Sequence, residues 1–155
     1  NIQFQFEKID LLELAQDTAE KLEPHALQKQ IKLTVTGQKA EISGVRQILQ
    51  EIVFNLCDNA IKYNHNNGTV NVTVSTSGKD VILAVKDSGF GIPEEHQSRI
   101  FERFYRVDKS HSRDTGGTGL GLSIVKHGVE FHNAKIKLSS EPGKGTTVKI
   151  IFNKQ

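Results

Sequence analysis

The sequence predicts an α+β fold, a two-layer α/β sandwich whose mixed, mostly antiparallel five-stranded sheet carries three main helices on one face. Three observations predict it. Apolar residues recur at helical spacing in three long segments. Short runs of apolar–polar alternation lie between them. The four later runs form two pairs, each joined by a tight turn, which favours antiparallel ladders with helices on one side.

In chain order, Asn1 to Phe6 alternates and reads as a short strand. Asp10 with Glu13 makes a capping box. It opens a helix bearing Leu11, Leu14, Ala15, Thr18, Ala19 and Leu22 that runs on toward Pro24. Ile31, Leu33 and Val35 alternate as a strand closed by Gly37. Ser43 is a candidate cap for the second helix, which shows Ile48, Ile52, Leu56, Ala60 and Tyr63 on one side. Asn64 to Gly68 ends it as a loop. Val70, Val72 and Val74 pair with Val81, Leu83 and Val85 across a turn at 77–80. A short helical stretch covers Glu95 to Phe101, and the third main helix covers Leu120 to Phe131. Ile136 and Leu138 pair with Val148, Ile150 and Phe152 across a turn at 141–145. The stretch from Ser88 to Gly119 is long for a loop in a compact domain, and such loops commonly carry function.

The 155 residues fit one domain around one core. A formal charge of +2, with Lys and Arg scattered, does not describe a nucleic-acid-binding tract. The single cysteine, Cys57, excludes an internal disulfide, fits a reducing compartment and reads as a small buried hydrophobe rather than a catalytic thiol. None of the six histidines shows a metal-ligand spacing. No apolar run approaches the ~20 residues of a membrane span, and there is no signal-peptide pattern. Without an initiator Met, the chain is expected to be a piece of a longer protein.

Four segments carry chemistry. Asn55, Asn59 and Lys62 share one helix face, with Tyr63 beside them. Carboxamide oxygens are hard ligands suited to Mg²⁺, and an ammonium suits a phosphate. A solvent-facing polar stripe is the competing reading. Asp87 ends a strand and precedes Gly89 and Gly91. A carboxylate only accepts, so it fits the amino group of adenine and is repelled by the O6 of guanine. The glycines let the backbone come close to a flat base. A strand-ending turn is the plainer alternative. Gly116 to Gly121 opens a helix, and backbone N–H groups at such a start bind phosphate. This stretch matches neither the dinucleotide fingerprint nor a P-loop, and Gly143 to Thr146 reads as a hairpin. Phe101, Phe104 and Tyr105 flank Arg103, with Arg106 one step on. The aromatics can anchor the start of a lid and leave an arginine for a terminal phosphate. A satellite hydrophobic cluster with surface arginines is the alternative.

In this order, these segments resemble the catalytic, ATP-binding domain of bacterial sensor histidine kinases of the GHKL superfamily. The likeness covers residues 1–155. Asn55 to Tyr63 looks like the family's N box, Asp87 to Pro93 its G1 box, Phe101 to Arg106 its F box and Gly117 to Gly121 its G2 box. Tyr105 to Asp108 and Leu122 to Lys126 are most similar to phosphate-sensor-like kinases. The resemblance implies a Bergerat-type fold and a catalytic set of Asn59, Lys62 and Arg106. Asn59 would ligate Mg²⁺ with Asn55 assisting, and Lys62 and Arg106 would meet phosphates. Asp87 would fix adenine in a pocket lined by Tyr63, Gly89, Gly91, Ile92, Phe104 and Tyr105. Gly116, Gly117, Thr118, Gly119, Leu120 and Gly121 would wrap the phosphates, and the segment between Phe104 and Gly117 would be the ATP lid.

Hydrolysing members of the superfamily carry a glutamate four residues before the metal-binding Asn. Asn55 stands there, and a carboxamide takes no proton at neutral pH. The resemblance therefore implies phosphoryl transfer to a histidine on a separate helical hairpin of the parent kinase, and a downstream response regulator. No His-Glu-x-x-x-Pro-like segment is present, so the chain alone is not expected to autophosphorylate. A cytoplasmic monomer with a membrane-anchored parent is expected. The alternatives are a degenerate kinase that binds nucleotide without transfer, and a hydrolytic ATPase. The family's usual His-Gly-Gly reads His132-Asn133-Ala134, and its Thr-Pro after Lys-Tyr reads Asn64-His65.

Overall fold

The computed structural model of the chain describes residues 4–105 and 121–153. The elements, in order, are β1 (Glu7–Asp10), α1 (Leu11–Gln28), β2 (Lys32–Gly37), β3 (Glu41–Gly44), α2 (Arg46–Lys62), β4 (Thr69–Ser77), β5 (Asp80–Asp87), α3 (Glu94–Gln97), α4 (Gly121–Phe131), β6 (Lys135–Glu141) and β7 (Gly145–Asn153).

Five strands form the main sheet in the order β2-β4-β5-β7-β6. The β2–β4 pair is parallel and the others are antiparallel. The alternation read from the sequence sets the buried face: Val70, Val72, Val74, Val81, Leu83, Val85, Val148, Ile150 and Phe152 all point into the core. Helices α1, α2 and α4 cover that face. Helix α2 packs between the other two and buries Leu49, Ile52, Val53, Leu56, Cys57, Ala60 and Ile61. Its approach to α4 is close at Gly128, where a Cβ would lie 2.9 Å from Ile52.

Several local readings hold. Asp10 caps α1, accepting from Leu12 N–H at 3.1 Å and Glu13 N–H at 3.4 Å. The turn between β4 and β5 places Gly78 at φ +59 in open space. Asn133 takes a left-handed φ of 53, a conformation that Asn tolerates better than most residues.

Others are corrected. The first strand is Glu7–Asp10 rather than the stretch before it. Phe4 and Phe6 instead lay their rings on Phe131, at 5.4 and 5.6 Å between centroids. Ser43 belongs to β3, which pairs antiparallel with β1 in a separate two-stranded sheet. Val45 takes the N-cap place of α2 without a side-chain cap, and its N–H is accepted by His132 Nε2 at 3.1 Å. The short helix is the single turn Glu94–Gln97. Helix α1 continues past Pro24, an extension that the sequence leaves open.

Candidate functional site

Helix α2 organises the site. Asn55, Asn59 and Lys62 fall on one stripe about 10 Å long at 1.5 Å per residue. At the Asn55 end stands Gly121, the first residue of α4, where a Cβ would lie 3.2 Å from Asn55 Oδ1. Asn55 Nδ2 donates to Glu51 O at 2.8 Å, so its amide oxygen is turned outward. Asn59 is half-buried, and no hydrogen bond joins its carboxamide to another described residue. Lys62 pairs with Asp58 one turn back, Nζ to Oδ2, at 2.9 Å.

At the other end of the stripe the chain passes Tyr63, the C-cap of α2, and meets the segment after β5. Phe90 N–H donates to Tyr63 O at 3.1 Å. Gly89 sits so close to this turn that a Cβ would come within 2.3 Å of Tyr63 O. Gly91, at φ +74, lies against β6, where a Cβ would come within 2.0 Å of Glu141 O. The close approaches made by these two glycines are thus to protein backbone. Ile92 N–H donates to Ser140 Oγ at 2.8 Å, which pins the loop to the β6–β7 hairpin.

Asp87 lies between these contacts. Its Oδ1 accepts from Gly89 N–H at 2.8 Å and from Thr146 N–H at 3.2 Å. Among the described residues no donor is bound to Oδ2. Burial raises the carboxyl above its ordinary range, partly offset by the two backbone N–H groups. Asn64, 1% exposed, braces the same corner. Its amide donates to Thr69 O at 3.0 Å, and its oxygen accepts from His65 N–H at 2.8 Å and Ser88 Oγ at 3.2 Å.

The aromatic segment divides. Tyr105 is held, its hydroxyl on His96 Nδ1 and its ring 4.6 Å from the Arg99 guanidinium. Phe104 is not a buried anchor: it is 61% exposed at φ 65, with the Arg103 guanidinium 5.0 Å from its ring. Arg106, Gly116, Gly117, Thr118, Gly119 and Leu120, with the lid expected between Phe104 and Gly117, lie outside the described residues.

The structure thus lines up Asn55, Asn59, Lys62 and Tyr63 along α2 and its exit turn, with Gly121 at the Asn55 end and Gly89, bound to Asp87, at the Tyr63 end, while Gly91 and Ile92 lie against the β6–β7 hairpin. Thr146, Asn64, Ser88 and Asp58 were missed in the sequence. Only Asp58, four residues before Lys62, left a readable trace as a helical ion-pair spacing. A cleft between α1 and α2, bordered by Thr18, Lys21, Glu51 and Phe54, touches the candidate set only at Asn55. Among the described residues no group of three or more His, Cys, Asp or Glu side chains is placed to hold a metal. No helix among them is long and apolar enough to cross a membrane.

Known proteins share this fold. The chain is 44% identical over 123 residues to the signal transduction histidine-protein kinase ArlS of Staphylococcus aureus (strain USA300), covering 79% of this chain and 27% of ArlS. It spans about a quarter of the length of that relative. The mycobacterial sensor histidine kinase MprB superposes with a TM-score of 0.85 at 27% identity, covering 97% of this chain and 99% of that one. Full-length ShkA, solved in complex with AMPPNP, superposes with a TM-score of 0.84 at 28% identity, covering 99% of this chain and 32% of that one. Residues 44–155 match the family described as histidine kinase-, DNA gyrase B-, and HSP90-like ATPase. The chain belongs to that family, and its fold is that of the catalytic domains of sensor histidine kinases.

Proposed function

We propose that this chain, as one domain over residues 1–155, binds ATP with Mg²⁺ and presents the γ-phosphoryl group to a histidine on a separate helical hairpin of its parent kinase. One observation carries the reading. Asp87 has one carboxylate oxygen bound by two backbone N–H groups and the other without a donor among the described residues, beside the turn that ends the carboxamide stripe of α2. That second oxygen accepts the adenine amino group and refuses guanine, whose O6 cannot donate. The solved ShkA complex with AMPPNP supports the nucleotide assignment.

The donor set fits Mg²⁺. Asn59 offers an amide oxygen with no described partner, and Asn55 has its own oxygen turned outward. Such hard neutral donors leave most positions around the ion to water and phosphate oxygens. Bound there, Mg²⁺ neutralises phosphate charge. Lys62 exchanges its Asp58 partner for a phosphate oxygen. Arg106 and the glycine-rich run Gly116 to Gly121 take further phosphate contacts, and Tyr63, Ile92, Phe104 and Tyr105 border the nucleotide. Asn55 cannot take a proton from water, so the acceptor is a group brought by another domain. A response regulator is the downstream partner. The chain by itself is a monomer on the cytoplasmic side of a membrane-anchored parent, with no nucleic acid or membrane contact of its own.

Calorimetric titration with ATP and GTP, each with and without Mg²⁺, tests the pocket. ATP is expected to bind, GTP to bind at least tenfold more weakly, and Mg²⁺ to strengthen ATP binding. The chain mixed with its histidine-bearing hairpin and γ-labelled ATP is then expected to label the hairpin. Binding without labelling identifies a degenerate kinase. Rapid ADP formation by the chain alone identifies a hydrolase.

A further inference from the structure

Helix α2 ends without a glycine. Its C-cap is Tyr63 at φ −98, ψ 34. The carbonyls of a last turn need donors from elsewhere. Here the donor is Lys29, the C-cap residue of α1. Its ammonium donates to Ile61 O at 3.0 Å, Lys62 O at 2.9 Å and Asn64 O at 2.8 Å. An ammonium has three N–H donors, and all three are used. Among the described residues no backbone N–H reaches Ile61 O or Lys62 O. No carboxylate among the described residues pairs with Lys29, so its charge faces only the negative end of the α2 dipole. The contact is reinforced from the backbone, since Lys29 O accepts Asn67 N–H at 2.9 Å. Partial burial lowers the Lys29 pKa.

The three carbonyls flank Tyr63 and include that of Lys62. We propose that Lys29 is a positioning residue of the nucleotide site: by holding these carbonyls it fixes the turn of α2 from which Asn59 and Lys62 reach the metal and the phosphates. The inference rests on the nucleotide reading given above. It also predicts what Lys29 affects least. Asp87 is set by Gly89 and Thr146, and neither contacts Lys29. Lys29 reaches the adenine end only indirectly, through Asn64, whose carbonyl it holds and whose side chain accepts from Ser88 beside Asp87, so adenine recognition depends on Lys29 less than the phosphate end of the site does.

The test compares wild type, Lys29→Met, Lys62→Met and the double variant with two probes. Mg-ATP is titrated by calorimetry and adenosine by NMR chemical shift. Methionine keeps the length of the stem and removes every donor. Lys29→Met is expected to bind Mg-ATP about tenfold more weakly and adenosine no more than about twofold more weakly. In the Lys62→Met background the further effect of Lys29→Met is expected to shrink severalfold, because coupled residues do not act additively. Equal weakening of both probes would make Lys29 a general structural cap and overturn the inference. So would additive losses, or no loss. If Lys29→Met does not fold, Lys29→Gln, which keeps one amide donor group, is measured instead against the same outcomes. Wild type that fails to bind Mg-ATP overturns the nucleotide reading itself. Wild type that binds while the variants behave as wild type overturns only the role of Lys29.

Discussion

At Asp87 burial raises the carboxyl while two backbone N–H groups partly offset the rise. The sign matters. A raised folded pKa means that the ionised form is disfavoured by folding, so the cost is fully present above that pKa and disappears as pH falls through it. Asp87→Asn is expected to leave the thermal midpoint at pH 7 unchanged or higher. On the proposed nucleotide reading, the same substitution would place an amide donor against the adenine amino group. A hydrogen bond to a charged group is worth roughly 1.5–3 kcal/mol, so ATP affinity is expected to fall about ten- to a hundredfold. Scanning calorimetry and an ATP titration check the pair, and a variant that is less stable yet binds normally contradicts it. Cys57 shows how a residue type can announce its own environment: an apolar helical setting marked it as buried, and burial pushes its thiol up to about 12. Asn64 gave no such signal. Its side chain is useful only because Thr69 of β4 and Ser88 of the segment after β5 arrive beside it.

Between elements, His132 joins the end of α4 to the start of α2. Nδ1–H donates to Gly128 O at 2.8 Å, and Nε2 accepts Val45 N–H at 3.1 Å. The bond accepted by Nε2 requires the neutral ring, whereas the Nδ1–H donation survives protonation. Phe6, Phe131 and Phe152 surround it, and burial lowers its pKa from 6.5. A depressed histidine pKa means that the unfolded chain binds the proton more tightly. Its contribution is present above about 6.5 and is lost as pH falls toward the folded value. The urea midpoint is expected to drop on acidification across that window. His132→Gln, which retains an acceptor for Val45, is expected to flatten the drop, and parallel pH profiles would refute the assignment. The three helices were legible because their apolar period is long. The β1–β3 ladder was not: each strand has four residues, and its partner lies across the whole of α1.

For the molecule as a whole, stability sits in the central strands. Leu83 on β5 is fully buried between β4 and β7. Leu83→Ala is expected to cost about 2–5 kcal/mol through lost transfer energy and the cavity left behind, read as a lower urea midpoint with an unchanged slope. An exposed-face substitution such as Ser75→Ala on β4 is expected to stay within about 0.5 kcal/mol and serves as the control. The amino-acid sequence by itself determined the layer architecture and the positions of the chemistry-bearing boxes, because periods of two and 3.6 residues and short-range turn chemistry are local properties of a chain. Only the tertiary structure decided which oxygen of Asp87 is occupied, that Gly89 and Gly91 lie against the carbonyls of Tyr63 and Glu141, and that Lys29 at the end of α1 closes α2. Each of these depends on atoms brought together from distant parts of the chain, and their proximity is set by core packing rather than by any neighbouring residue.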